Sequence, residues 1–352
     1  MIAKSGFGKI LNITLIIFTI FLIFVFQEES KSGAIYGLQL CGNVLIPSLY
    51  PFTVCVLLLT KLGFSKIFAF FSKYIKLIFG LNTAEFSAFF LSFIGGYPIG
   101  ARVLDELCEN KLTEQARAQK ILLYSVNAGP AFIVLALGGG LLGSRSLGAI
   151  LLTSHITSSL IISLIIAPTL KSSSTAHNNA SVTVSFTDAF VKSASEAAST
   201  VFNICALVIL FSSLTNIARS FNNIFFDIVS EILEVTTAAS KVDNIYLLSF
   251  LLGFGGISVW LQVLFCCKSF KVKILSFTIW RVIHGIISVA ITFLLLKVFK
   301  IDFYTISNHI DTNPVPLYKT PALAVSLIAM VILFLISLER KFDGRNLKRD
   351  LI

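Results

Sequence analysis

The chain has 352 residues, 56% of them hydrophobic and only 13% charged, where an average soluble domain is about 25% charged. A water-soluble enzyme of this composition would expose too much apolar surface to stay dispersed, so the bilayer is the expected solvent. Lys and Arg total 28 against 18 Asp and Glu, a net charge of +10, but these cations sit between apolar runs as topology determinants do, which argues against a nucleic-acid module.

A helix that crosses a bilayer needs about 20 apolar residues. The first such run, residues 10–26, follows Lys4 and Lys9 and precedes Gln27, Glu28 and Glu29. No small-x-small site comes before Ser32-Gly33-Ala34, so it reads as an uncleaved first helix with its N-terminus inside. Further spans are expected at 38–60, 121–142, 147–166, 189–214, 274–296 and 321–338. The Ser/Thr/Asn-rich stretch 171–186 has no periodicity and reads as a linker. The chain then divides into an N-terminal helix (1–33), a first half (34–170), the linker, a second half (187–340) and a basic tail (341–352). Cys41, Cys55, Cys205, Cys266 and Cys267 lie in apolar stretches and Cys108 borders a polar one. Without CxxC or Cys/His spacing, neither a metal site nor a disulfide framework is expected, and no cofactor.

The two halves repeat one order of elements. After the second span, Phe64, Ile67, Phe68, Phe71, Ile75 and Ile78 fall at helical spacing, with Lys66, Lys73 and Lys76 on the other face. Such a helix lies in the membrane interface. The residues 157 positions later, Phe221, Ile224, Phe225, Ile228, Ile232 and Val235, form the same stripe. Each stripe leads to an apolar segment broken by two glycines, Gly95-Gly96-Tyr97-Pro98 and Gly255-Gly256-Ile257-Ser258. Paired interrupted segments in an internal repeat point to a transporter binding site.

Lys61, Lys66, Lys73 and Lys76 place the first interfacial helix on the cytoplasmic side, whereas Asp227, Glu231 and Glu234 suit an external second one. Three full spans then separate them, so the segment 84–104 is expected to be re-entrant and the halves to be inverted repeats. The tail residues Arg340, Lys341, Arg345, Lys348 and Arg349 pull the other way. They favour a second broken segment, 246–265, that crosses. The expected fold is an all-α polytopic membrane protein of two inverted repeats, each with an interfacial helix and a glycine-broken re-entrant hairpin, plus an extra N-terminal helix.

Several constellations carry chemistry. Half-helix ends at the first break would present N–H groups to an anion, and Arg102 just beyond it offers a bidentate fork to a carboxylate. At the second break Gln262 stands where Arg102 does in the first half, sharing a helix face with Ser258. In Ser125-Val126-Asn127-Ala128-Gly129-Pro130, the proline frees a carbonyl beside the Asn127 amide. Arg281 enters the span 274–296, where a charge is costly and marks a ligand or an ion pair, with His284 one turn on. His155, among Thr153, Ser154, Thr157 and Ser158, reads as helix–helix hydrogen bonding. Glu234 with Thr236 and Thr237 offers oxygen ligands for a small cation or a proton, or a solvated polar face. Catalysis has no motif here, so no enzyme is expected.

Taken together, Gly96-Tyr97-Pro98-Ile99-Gly100-Ala101-Arg102, Asn127-Ala128-Gly129-Pro130-Ala131-Phe132-Ile133, Leu233-Glu234-Val235-Thr236, Gly255-Gly256-Ile257-Ser258-Val259 with Gln262, and Arg281 with His284 resemble the sporulation integral membrane protein family YlbJ/SpoVV, in the nucleoside-recognition Gate domain group. The resemblance covers about residues 38–299. Val126 stands where the family usually has a second Asn, and Ala238-Ala239 where it has a Gly. It implies an architecture similar to concentrative nucleoside transporters and a role in spore cortex formation. Dipicolinic acid would move from mother cell toward forespore, across the outer forespore membrane. Dipicolinate is a planar dianion, which suits Arg102 and Arg281 as carboxylate readers. Substrate contacts are expected at Gly95, Gly96, Tyr97, Pro98, Arg102, Asn127, Gly255, Gly256, Ser258, Gln262 and Arg281, and coupling to a proton or sodium at Glu234, Thr236 or His284. Expected partners are a small organic anion and the lipid bilayer, without nucleic acid; the sequence leaves a homo-oligomer open. A carrier of nucleosides or other small solutes, or a non-transporting scaffold for spore assembly, is the alternative.

Overall fold

The computed structural model describes residues 6–170, 185–235 and 244–300, with helices, turns and irregular links but no strand among them. Thr236, most of the linker, the expected span 321–338 and the basic tail lie outside the described residues.

Helix α1 (Gly6–Val25) meets α2 (Gln27–Leu40) at 97° around Phe26. Glu28 and Glu29 sit in the first turn of α2, where carboxylates favour the positive end of the helix dipole. A π-helical stretch, Cys41–Leu45, then leads into α3 (Ile46–Lys61). The helix that holds the expected second span, 38–60, starts earlier, because residues 27–37 are held helical by tertiary packing. They lie on α9 (Phe186–Ser220), and glycines bring the two backbones together. A Cβ on Gly33 would stand 2.5 Å from the Ser212 carbonyl oxygen, and one on Gly37 2.8 Å from Ile209 Cα. Ser30 and Ser213 hydroxyls meet at 2.7 Å, and Asn216 Nδ2 donates to the Glu29 carbonyl at 2.9 Å. Small residues and interhelical hydrogen bonds are what hold helices together where lipid removes the hydrophobic drive.

The first amphipathic stretch is a 3-10 helix, Phe64–Phe71, running into α4 (Ser72–Phe79). The broken pair α5 (Thr83–Gly95) and α6 (Ile99–Glu109) follows. A capping box fixes the start of α5: the Glu85 N–H donates to Asn82 Oδ1 at 2.8 Å and the Asn82 N–H to Glu85 Oε2 at 2.9 Å. The same buried carboxylate pairs with Arg117 of α7 (Gln115–Ile121) at 2.6 Å.

The expected span 121–142 is not one helix. Backbone 125–129 is irregular, and a π-helical stretch, Ala131–Leu141, follows. Pro130 lacks an N–H, and Gly96 lies against Gly129, so backbone contact replaces helical bonding there. Then come α8 (Arg145–Ile166) with a 3-10 turn, Ala167–Thr169, and α9. At 35 residues α9 is about 50 Å long, more than the hydrocarbon core of about 30 Å. The second amphipathic helix, α10 (Ile224–Leu233), is capped by Asn223, whose Oδ1 accepts from the Phe225 N–H at 2.9 Å. The second broken pair, α11 (Ile245–Phe254) and α12 (Gly256–Cys266), and α13 (Ile274–Phe299) complete the described chain.

Among the described residues, four units are long and apolar enough to cross a membrane: α8 with its 3-10 turn, α9, α11 with α12, and α13. Two bent pairs raise that number to as many as six. The described residues, helical apart from turns and irregular links, fit a multi-pass membrane protein. Long helix, amphipathic helix and broken pair follow one another in both halves.

Overpacking a tight helix contact costs about 1–3 kcal/mol. Gly37→Val should therefore lower the thermal midpoint of the protein in lipid nanodiscs clearly below wild type. Gly139→Ala, whose Cβ would meet its nearest neighbour at an ordinary 3.4 Å, should leave it unchanged.

Candidate functional site

Both glycine pairs interrupt their helices with left-handed backbone, φ +73° at Gly96 and +88° and +71° at Gly255 and Gly256. These are conformations that side-chain-bearing residues avoid. The breaks are also points of close approach. A Cβ on Gly96 would stand 2.9 Å from the Gly129 nitrogen, and one on Gly100 1.8 Å from the Ser125 carbonyl oxygen. The first break thus lies directly on the irregular stretch 125–129. At the second, a Cβ on Gly256 would reach the Val235 nitrogen at 3.2 Å, and one on Gly253 would reach Gly285 Cα at 2.6 Å. Gly95 and Pro98 frame the first turn, and the Tyr97–Pro98 peptide is cis.

Arg281 of α13 joins these pieces. Its side chain is fully buried, Nε donates to the Phe254 carbonyl at 3.2 Å, Nη2 to the Gly253 carbonyl, and Nη1 to the Val126 carbonyl at 2.7 Å. Gly253 and Phe254 end α11, where the break removes the helical partners of the last carbonyls. A cation at a helix C-terminus also meets the negative end of the dipole. Tyr97 donates its hydroxyl to the Leu252 carbonyl, and Trp260 Nε1 donates to Phe254 at 2.9 Å. Three successive carbonyls at the end of α11 are therefore held by side chains from α13, from the first break and from α12.

The histidines extend this junction. His284 Nε2 lies 3.1 Å from the His155 carbonyl oxygen and must donate there, so Nδ1 is the lone pair that faces Arg281 Nη1 at 3.2 Å. His284 is a neutral imidazole in this arrangement. His155 stacks on it with ring centroids 4.5 Å apart and accepts the Ala128 N–H on Nε2 at 3.0 Å. Thr292 donates to Ser154 at 2.9 Å and Ser288 to Ser158 at 3.0 Å, so α8 and α13 share a polar seam. Asn127 Nδ2 donates to Ser92 Oγ at 2.9 Å and to the Tyr124 carbonyl at 3.0 Å. Four buried polar atoms here, Tyr124 Oη, Ser125 Oγ, Asn127 Oδ1 and His155 Nδ1, have no hydrogen-bond partner among the described residues. Unmet polar groups at that density call for water or a ligand.

A cavity of about 30 Å³ lies between the two breaks, lined by Tyr97, Gly129 and Phe132 from the first half and by Glu234, Val259 and Gln262 from the second. Leu45, Leu49 and, from α9, Ile204 and Val208 also line it. That volume holds one or two waters, and a pyridine dicarboxylate is several times larger. Gln262 Nε2 reaches Ser258 Oγ at 3.4 Å.

The structure brings Tyr97, Gln262 and Glu234 to the cavity wall, and sets Asn127, Arg281 and His284 in the junction beside it. Arg102 stands apart. Its Nη2 lies 3.7 Å from Glu196 Oε2, in a cluster where Lys61 pairs with Glu106 at 3.2 Å and with Glu196 at 2.9 Å. Neither arginine lines the cavity, and Arg281 faces backbone carbonyls in place of an anion. Leu45, Leu49, Ile204 and Val208 were not among the expected contacts. The π-helical stretch Cys41–Leu45 that turns Leu45 inward has no sequence signature. No cluster of metal ligands occurs among the described residues.

Each buried carbonyl stranded by loss of a donor costs about 1–3 kcal/mol. Arg281→Met should accordingly lower the thermal midpoint in nanodiscs more than any other single change in the junction. Tyr97→Phe, which removes one donor, should cost about 1 kcal/mol. A wild-type midpoint for Arg281→Met would contradict the network.

No protein-family model matches the chain, and no curated protein and no solved structure matches it either.

Proposed function

We propose that this chain is a secondary-type carrier of a small organic anion that works by alternating access around its two glycine breaks. The observation that carries this reading is the meeting of irregular backbone from both halves, at 96–98, 125–129 and 255, beside a small cavity. Non-helical backbone at membrane depth is tolerated only where protein or water covers it, and transporters use such places to bind solutes. The repeated order of elements supports two related halves. Their inversion, and a re-entrant first segment, belong to this proposal. For the second segment, the 22 residues of α11 with α12 suit an interrupted crossing.

The cavity is too small for the solute in this conformation, so binding requires the walls to part. Arg102 is the readier anion contact, since its Nε has no hydrogen-bond partner among the described residues and its Glu196 contact is long. Arg281 would have to exchange carbonyls for carboxylate. The family resemblance supplies dipicolinate as the anion, with transport from mother cell to forespore across the outer forespore membrane and cortex formation as the purpose. Glu234, on the cavity wall, is the natural place for a coupling proton or sodium ion.

One observation favours a second reading. The polar cavity wall is Tyr97, Gln262 and Glu234, with no cation, which suits a neutral hydrogen-bonding solute such as a nucleoside.

Flux into vesicles that contain only this protein tests both. Dipicolinate should enter above the level of empty vesicles and should not be displaced by uridine. Losing a charge-assisted contact should cut uptake by Arg102→Gln about 10- to 100-fold at unchanged insertion. Uridine uptake that dipicolinate does not inhibit would select the nucleoside reading. Flux of neither solute would leave a scaffold role and contradict the carrier.

A further inference from the structure

A second cavity, which shares no residue with the first, opens between α4, the start of α5 and the end of α8. It is a groove of about 600 Å³, in the size range of small-molecule sites. Its charge comes from one helix face. Lys73 and Lys76, three residues apart on α4, both line it and both are exposed. Arg117 at its floor adds no net charge, because it is paired with the fully buried Glu85 at 2.6 Å and also donates to the Gly80 carbonyl at 2.8 Å. Among the described residues, no acidic side chain lines the groove. The rest of the wall is mixed: Ser72, Asn82 and Thr83 line it beside an apolar part that includes Leu77 on α4 and Leu164 and Leu170 at and just beyond the end of α8.

Two ammonium groups beside an apolar part of the wall describe the complement of an anionic amphiphile. The surrounding surface narrows this further. Ile67, Phe70 and Leu77 on the same amphipathic stretch are 66%, 85% and 79% exposed, which places the groove at the level where acyl chains meet headgroups. A zwitterionic choline headgroup would bring its own cation against the two lysines. A free phosphate would leave Leu77, Leu164 and Leu170 facing water. The lysine bias of this stretch is that of a cytoplasmic interface, where anionic lipids are concentrated and basic pockets between helices bind their headgroups.

We propose that the groove is a binding site for one anionic phospholipid, its phosphate held by Lys73 and Lys76 and its proximal acyl chain lying on Leu77, Leu164 and Leu170. Such a lipid would fasten α4 and the capped start of α5 to the end of α8. The site goes beyond the carrier reading and does not depend on it.

Native mass spectrometry of the full chain in mild detergent, with phosphatidylglycerol or phosphatidylcholine of equal chain length added, tests the proposal. One phosphatidylglycerol per chain should stay bound at detergent levels that remove phosphatidylcholine. Lys73→Ala with Lys76→Ala should weaken that retention about tenfold or more. Both side chains are exposed, so folding should be untouched, as an unchanged elution volume would verify. Leu164→Trp fills the apolar wall without altering charge and should also reduce retention. Equal retention of the two lipids, or wild-type retention by the double variant, would overturn the proposal. Displacement of the lipid by excess inorganic phosphate would overturn it as well, since the site would then be one for a free anion.

Discussion

Backbone polar groups inside a bilayer have no water to bond, and each one left unmet costs several kcal/mol. The junction around Arg281 is this chain's answer to that constraint. Gly255 ends α11 early and deprives its last carbonyls of helical partners, while Pro130 and Gly129 interrupt the helical ladder across 125–129. One guanidinium reaches both, taking the carbonyls of Gly253 and Phe254 with one part of its fork and Val126 with another. A lysine has a point charge where this site uses a planar fork, so arginine is the residue that fits. Remove it, and the two irregular segments lose the group that holds them together.

Charge elsewhere links the same halves. Lys61 at the end of α3 pairs with Glu106 of α6 and with Glu196 of α9, which Arg102 of α6 also approaches. Asp105 on α6 accepts the N–H groups of Lys268 and Ser269 beyond α12 at 2.7 and 2.6 Å. These are contacts between the first half and the second, and the cavity between the breaks is only about 30 Å³. Any opening must either break them or move α6 with its partners as one body. Partly exposed pairs of this kind are weakened by salt.

Much of the local grammar was legible in the sequence. The two Gly-Gly breaks, the amphipathic stripes and the opened turn at Pro130 follow from backbone chemistry and helical period, which are encoded within a few residues. The depth of Arg281 could be read from its position in an apolar run. Its partners could not, because Val126 lies 155 residues away and a carbonyl acceptor has no side-chain signature. The same limit hid the helical run before residue 38, where Gly33 and Gly37 matter only because α9 passes over them. It also hid the separation of Arg102 from the cavity. Residue type suggested an anion reader, whereas Glu196, brought in by a different helix, supplies the nearest carboxylate.

Under the proposed alternating access, the cavity between the two breaks opens in turn to each side of the membrane. Val259 lines that cavity and is 4% exposed. In a protein whose six native cysteines are replaced, Val259→Cys can be offered a membrane-impermeant thiol reagent from either face of oriented vesicles. The account predicts modification from both faces, slowed when the transported solute is present. Modification from neither face, or from one face only, would contradict it.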